Sequence, residues 1–211
     1  LIAPHGHDKD DENTGALTRL VAEQSGSYAI INETYRRAKS FKTASKKGKR
    51  VNLNHLAQVK KHLEKELLDP LLDFKNKIVK QYDNALIFWI HGADDLRLEG
   101  DISDKDGVNP KDIKVLVGWG QKTGKNRHTA EQETKDILFN ALNENGLNAV
   151  LANPDKKVNF KKNIRSYCGW DINNLNQMFR SGEYKDVKVE SFQLEFRKMD
   201  CRDNEENIKS T

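Results

Sequence analysis

Pro4-His5-Gly6-His7-Asp8-Lys9-Asp10-Asp11-Glu12-Asn13-Thr14 is the stretch whose reading decides the fold. A short apolar run, Leu1-Ile2-Ala3, precedes it, and a helix-like segment with Leu17, Leu20 and Val21 on one side follows. The order is strand, polar loop, helix, and the loop holds two histidines and four acids. Open α/β sheets carry their binding chemistry at the carboxyl ends of strands, so this loop is the first candidate site. A second buried-looking strand, Leu86-Ile87-Phe88-Trp89-Ile90, also ends in a histidine, at His91-Gly92. Two strand-end imidazoles plus one carboxylate make a three-ligand zinc site with a position left for water.

The flanking segments fit the same class. Residues 14–24 have helical periodicity and stop at Ser25-Gly26. Residues 27–31 are aromatic and β-branched and predict a strand, which residues 32–37 leave as a polar loop with two arginines. Leu56, Val59, Leu63 and Leu67 recur at helical spacing; Asp69-Pro70 interrupts, and Leu71, Phe74, Ile78 and Tyr82 resume. Two helices or one kinked helix is expected there. Asp83-Asn84 turns into a strand over residues 85–90, with 91–95 as its terminal loop and 100–110 as an Asp- and Gly-rich excursion. Further strands are expected over 113–117, 147–152 and 187–196. A helix capped by Thr129, with Gln132 completing a capping box, should run to Asn145-Gly146. Residues 155–169 read as a basic loop carrying Arg165, and 172–179 as a short helix. Strands alternate with helices, so the class is α/β with a central mixed, mostly parallel sheet flanked by helices. A single domain over residues 1–200 is expected, with a polar tail over 201–211 that frays.

Composition removes several alternatives. A chain of 211 residues is long enough for one domain with a real core. No stretch approaches the roughly 18 apolar residues of a membrane helix, so no membrane partner is expected. The net charge of +4 is too mild to imply nucleic acid. The run Lys46-Lys47-Gly48-Lys49-Arg50 reads as a solvated loop or as a patch for an anionic partner. Phe41 alone offers a base-stacking surface within residues 39–50, so nucleic acid is not expected. His62, set among lysines, reads as a surface histidine. Cys168 and Cys201 lack metal-ligand spacing and read as reduced thiols of a cytoplasmic protein. The chain starts inside an apparent strand, which leaves upstream residues or a removed signal open.

Amide hydrolysis at neutral pH needs a strong nucleophile and a place for the developing oxyanion. Zinc supplies both, lowering the pKa of bound water to about 7 and polarising the carbonyl. His5 and His91 are the candidate imidazole ligands, and the carboxylate comes from among Asp8, Asp10, Asp11 and Glu12. His7 is a ligand, an outer-shell group or a pocket wall. The bland alternative is a polar turn and an unrelated structural histidine. Strand alternation puts Gln193 and Glu195 on one face. Glu195, flanked by Phe192, Leu194 and Phe196, is costly to bury unpaired. It either pairs with a cation such as Arg165 or acts as a general base beside the metal. Gly118-Trp119-Gly120 through Gly124-Lys125 is not a phosphate loop, since its spacing is wrong and Asn126 stands where Ser or Thr is needed.

Taken in order, five segments resemble the N-formylglutamate amidohydrolase family of zinc hydrolases. They are Pro4-His5-Gly6 with Asp11-Glu12-Asn13-Thr14, then Val51-Asn52-Leu53-Asn54, Ile90-His91, Asn153-Pro154 through Arg165-Ser166-Tyr167, and Gln193-Leu194-Glu195. Each is short, and their shared order across nearly the whole chain is what is specific. The resemblance implies a carboxypeptidase-like α/β fold and a single Zn(2+) held by His5 and His91. It implies a carboxylate ligand ahead of the threonine, and spacing to Thr14 favours Asp11 over Glu12. Glu195 matches the family's general base, and Arg165 a group holding the substrate carboxylate, with Asn54 orienting the substrate. The chain departs from the family at Asn52-Leu53-Asn54-His55, where Asp-Leu-Asn-Arg is common. An arginine is the natural clamp for a dicarboxylate, so Arg36 or Arg37 would have to compensate. The implied partner is a small-molecule or short-peptide amide: an N-formylglutamate-like compound, γ-linked polyglutamate or a cell-wall peptide. The rival from another class is a non-catalytic polyanion-binding module on this fold, using residues 39–50.

Overall fold

The structure is a computed structural model and describes residues 1–7, 10–94, 110–121, 127–152 and 167–211. Asp8, Arg165, the excursion over 100–109 and Gly124-Lys125 lie outside the described residues.

The sheet is built from β1 (Ile2–Ala3), β2 (Ile30–Ile31), β3 (Ala85–Ala93), β4 (Val115–Gly118), β5 (Ala149–Leu151) and β6 (Val189–Arg197), in the spatial order β2-β1-β3-β6-β4-β5. β2, β1, β3 and β6 run parallel to one another. β4 opposes β6, and β5 follows β4 in parallel. The sheet is therefore mixed and mostly parallel. Its helices are α1 (Thr14–Ser25), α2 (Leu56–His62), α3 (Asp69–Tyr82), α4 (Gln132–Glu144) and α5 (Glu205–Ser210).

β3 is a near-continuous apolar run, as a strand covered on both faces requires, whereas β6 alternates, with Phe192, Leu194 and Phe196 on one face and Ser191, Gln193 and Glu195 on the other. On one face Ile87, Trp89 and Val189 pack with Leu53, Val59, Leu63, Leu71, Leu175 and Met178. On the other, Ile90, Phe192, Leu194 and Phe196 pack with Leu17, Val115, Val117, Leu147 and Ile208. Phe192 is fully buried at the centre of this second layer. Phe192→Ala is expected to cost about 3–5 kcal/mol, read from the midpoint of chemical denaturation.

Several boundaries differ from the sequence expectation. The strand expected over 27–31 shrinks to Ile30–Ile31. Regular helix ends at Leu63 (φ −136), six residues ahead of the Asp69-Pro70 pair that was expected to interrupt it. A π-helical turn over Glu64–Leu68 follows, and Pro70 falls in the first turn of α3, where a missing N–H costs nothing. β3 runs on to Ala93, so His91 is a strand residue and not a loop residue. Thr129 does not cap α4: the N-cap is Glu131, and the Thr129 hydroxyl donates to Ser191 O instead. The helix expected over 172–179 reduces to a 3-10 turn, Leu175–Gln177, capped by Asn174. The tail does not fray. Cys201 and Arg202 are buried, and α5 seats Ile208 in the layer that holds Leu17 of α1. Both cysteines are free, and burial pushes the Cys201 thiol up to about 11. Among the described residues no helix is long and apolar enough to cross a membrane.

Candidate functional site

The histidine turn is fixed by close packing. Gly6 lies so near Asn32 O, the Gly15 Cα and the Ile31 side chain that a Cβ would sit 3.2 Å from each. A side chain there would have to push these neighbours back by a few tenths of an ångström, so glycine lets the turn settle closely on α1 and β2. His5 is thereby held, fully buried, just past the end of β1. The loop then folds back: Asp11 N donates to His5 O (3.1 Å), and the Thr14 hydroxyl donates to Asp11 O (2.7 Å). Asn13 adopts the left-handed conformation (φ 62) that admits α1. Asp11 is turned inward by this loop.

The sheet register supplies the rest. Ile2 of β1 pairs with Trp89 of β3, and His91 of β3 pairs with Glu195 of β6, which puts His91 and Glu195 on one side. The His5 and His91 rings lie 5.4 Å apart between centroids. Asp11 Oδ2 is 3.1 Å from His91 Nδ1, and since the carboxylate is ionised, the imidazole is the donor. Gln193 Nε2 donates to Glu195 Oε1 (2.6 Å), and Asn174 Nδ2 donates to Gln193 Oε1 (3.2 Å). Among the candidate acids, Asp10 instead accepts from the Arg37 backbone N–H, and Glu12 is paired with Lys198 outside the cluster. His7 is half-buried on the same turn, its carbonyl accepting from Asp10 N.

His5, Asp11, His91 and Glu195 are thus brought together. Asn54 is not part of that cluster: its hydrogen bonds run through its backbone, to Asn52 Oδ1 and from Leu175 N. It is linked indirectly, since the adjacent His55 bridges to Asn174, which reaches Gln193. Arg165 lies outside the described residues. Sequence left Arg36 and Arg37 undistinguished, and the structure separates them. The Arg36 backbone is spent on Lys49 and Val51, whereas Arg37 Nε donates to His5 Nε2 (3.2 Å) and Nη2 stands 3.7 Å from Asp11 Oδ1. Asn32 aims this loop, its side-chain amide donating to Pro4 O and Tyr35 O. The one sequence signal for Arg37 is that its loop leaves β2, the strand beside β1.

Electrostatics set His5, Asp11 and Glu195 apart. Burial, reinforced by Arg37, holds the His5 pKa well below the ordinary imidazole value, so the ring is neutral. Burial alone would raise Asp11, but the His91 hydrogen bond and the Arg37 charge oppose it, and its carboxyl is held well below the usual carboxylate range. Glu195 goes the other way. Its burial raises the pKa and the Asp11 charge adds to the rise, against partial opposition from His91, Gln193 and Arg37.

A neutral imidazole and an ionised carboxylate are the states in which these side chains bind a metal. Zinc–nitrogen bonds of about 2.0–2.1 Å at a tetrahedral angle put two imidazole centroids about 5.2 Å apart and neighbouring donor atoms about 3.3 Å apart. The observed 5.4 Å and 3.1 Å are close to both. His5 Nδ1 is buried without a hydrogen-bond partner; because Nε2 accepts from Arg37, the neutral ring carries its proton on Nδ1, and a metal would have to bind at Nε2 in place of the guanidinium. The donors nevertheless face one another and Arg37, and among the described residues no group of three or more His, Cys, Asp or Glu side chains is gathered as a ready coordination sphere. The 3.1 Å separation is that of the Asp11–His91 hydrogen bond itself, which would have to yield before both atoms could bind an ion. No protein-family model matches the chain, and neither a curated protein nor a solved structure does.

Proposed function

We propose that this chain is a zinc-dependent hydrolase of a linear amide C–N bond in a carboxylate-bearing substrate, on the pattern of the N-formylglutamate amidohydrolases and their zinc-carboxypeptidase-like fold. The observation that carries this is the meeting of His5, Asp11 and His91 with Glu195 in register beside His91. His5, His91 and Asp11 would hold the ion. Bound there, zinc would supply a Lewis acid for the amide carbonyl and a lower pKa for the attacking water.

Glu195 is the base. Held by Gln193, it takes a proton from water as the C–O bond forms and hands it to the amide nitrogen as the C–N bond breaks. Its raised pKa suits both halves of that exchange. Arg37, whose side chain is about half exposed at 47%, reaches both the cluster and solvent. It supplies the positive charge for the substrate carboxylate or the tetrahedral oxyanion that the family's missing arginine would otherwise give.

Metal analysis with an amidase panel (N-formyl, N-acetyl and γ-glutamyl substrates), run with and without a chelator, tests this. We expect about one zinc per chain and turnover in one class, abolished by chelation and restored by zinc. No metal and no turnover would refute it. A salt-steep polyanion affinity lost on neutralising Lys46 and Lys47 would make the chain a binding module instead.

A further inference from the structure

We infer that Arg202 is the positioning residue of the site, setting the spacing of the three elements that carry Asp11, His91 and Glu195. This rests on the proposed site, and it reaches a residue whose polar, acid- and lysine-rich surroundings give no hint of a core role.

The guanidinium of Arg202 is buried, the residue being 4% exposed, and its donors end on backbone carbonyls of three separate segments. Nη1 donates to Glu12 O, the residue after Asp11. Nε donates to Phe196 O (3.1 Å), the residue after Glu195. Nη2 donates to Ala93 O (3.0 Å), two residues past His91. The contact is returned, for Asn13 Nδ2 donates to Arg202 O (2.6 Å), and Asn13 is the left-handed residue that opens α1. One rigid planar fork thus ties the backbone just after Asp11 to both central strands, a task its five fixed N–H donors suit and a single ammonium does not.

Gly92 makes room for it. A Cβ there would stand 2.5 Å from Arg202 Cζ and Nη2 and 2.9 Å from Nε, so the guanidinium occupies a slot that exists because residue 92 has no side chain. Those clashing atoms are the far end of a flexible side chain. Gly92→Ala should therefore expel the guanidinium and leave the β3 backbone in place. The three acceptors named are main-chain carbonyls, and the Asp11 carboxylate contacts His91 and Arg37.

The test uses the full chain as wild type, R202M, G92A and the double variant, with circular dichroism and thermal melts to establish folding. Two readouts are taken: histidine side-chain ¹⁵N spectra of the metal-free protein, which report the His91 Nδ1–H bond to Asp11, and zinc affinity by competition with a chromophoric chelator. R202M and G92A should each disturb the His91 signal and weaken zinc by about 10–100-fold, the range for partners that orient ligands. In the R202M background G92A should add little, because both act on one guanidinium. A folded R202M or G92A with a wild-type His91 signal overturns the inference, as do fully additive effects. If R202M does not fold, G92A, which keeps the arginine, decides by the same signal. If wild type binds no zinc, the proposed function fails, while Arg202 is still judged by whether the His91 signal moves.

Discussion

Glu195→Gln is expected to lower turnover by about 10²–10⁴-fold while leaving zinc bound and making the protein more stable at neutral pH than the wild type. The residue is only 5% exposed, and burial is the main cause of its raised pKa. An amide of the same shape keeps an acceptor for Gln193 Nε2 and removes a charge that the site solvates poorly. The sign follows from linkage. A group whose folded pKa exceeds its unfolded value contributes fully below the unfolded pKa, and the contribution is lost as pH rises through the folded one. The advantage of the glutamine should therefore be absent in acid, grow through that window and level off above it. A gain of about 1 kcal/mol would raise Tm by about 2–4 °C in a chain of this size. Thermal melts of the metal-free protein across that range, since a bound cation would oppose the shift, paired with steady-state rates of the zinc-loaded protein, check both halves. Wild-type turnover would remove Glu195 from the mechanism, and an unchanged Tm at neutral pH would mean that its ionisation is not penalised.

Asp11→Ala should be the most damaging single change to metal binding. The carboxylate accepts from His91, faces Arg37 and is the one candidate acid among the described residues turned into the cluster. Its loss removes a negative ligand and frees His91 to rotate. It also leaves Arg37 as an unopposed positive charge beside the site, which repels a cation. A fall in zinc affinity beyond the roughly 10–100-fold typical of outer-shell partners is expected, measured by chelator competition at fixed pH. A loss inside that range would reassign Asp11 as the carboxylate that orients His91 through Nδ1 while His91 binds through its other nitrogen. An unchanged affinity would take Asp11 out of the site.

Much of this architecture was legible because periodicity changes sharply around the first loop. A short apolar run gives way within a dozen residues to helical spacing at Leu17 and Leu20, and β1, the histidine turn and α1 follow directly. His91 and Glu195 were legible one at a time, as polar residues interrupting apolar strands, but their adjacency was not. It depends on β3 pairing with β6, whose residues are separated by about a hundred positions, and no local pattern encodes that. The Thr129 cap failed because Ser191 O, supplied by a distant strand, competed for the same hydroxyl. Arg37 was one of two adjacent arginines, and only the packing of Asn32 on Pro4 decides which one faces His5. Arg202 was invisible for a different reason. Its partners are main-chain carbonyls, which every residue has, and Gly92 alone among its neighbours betrays the space it needs.

The strand order carries a consequence for biogenesis. β6 is central in space yet the last of the six strands in sequence, and it joins β3 on one side to β4 on the other. Until it emerges from the ribosome, the β2-β1-β3 group and the β4-β5 pair have no strand between them, and β3 and β4 each present an open edge. Such nascent fragments are candidates for edge-to-edge association, and closure is slow because the missing partner is distant along the chain. Joining of the two groups must therefore wait until residues 189–197 are available to pair.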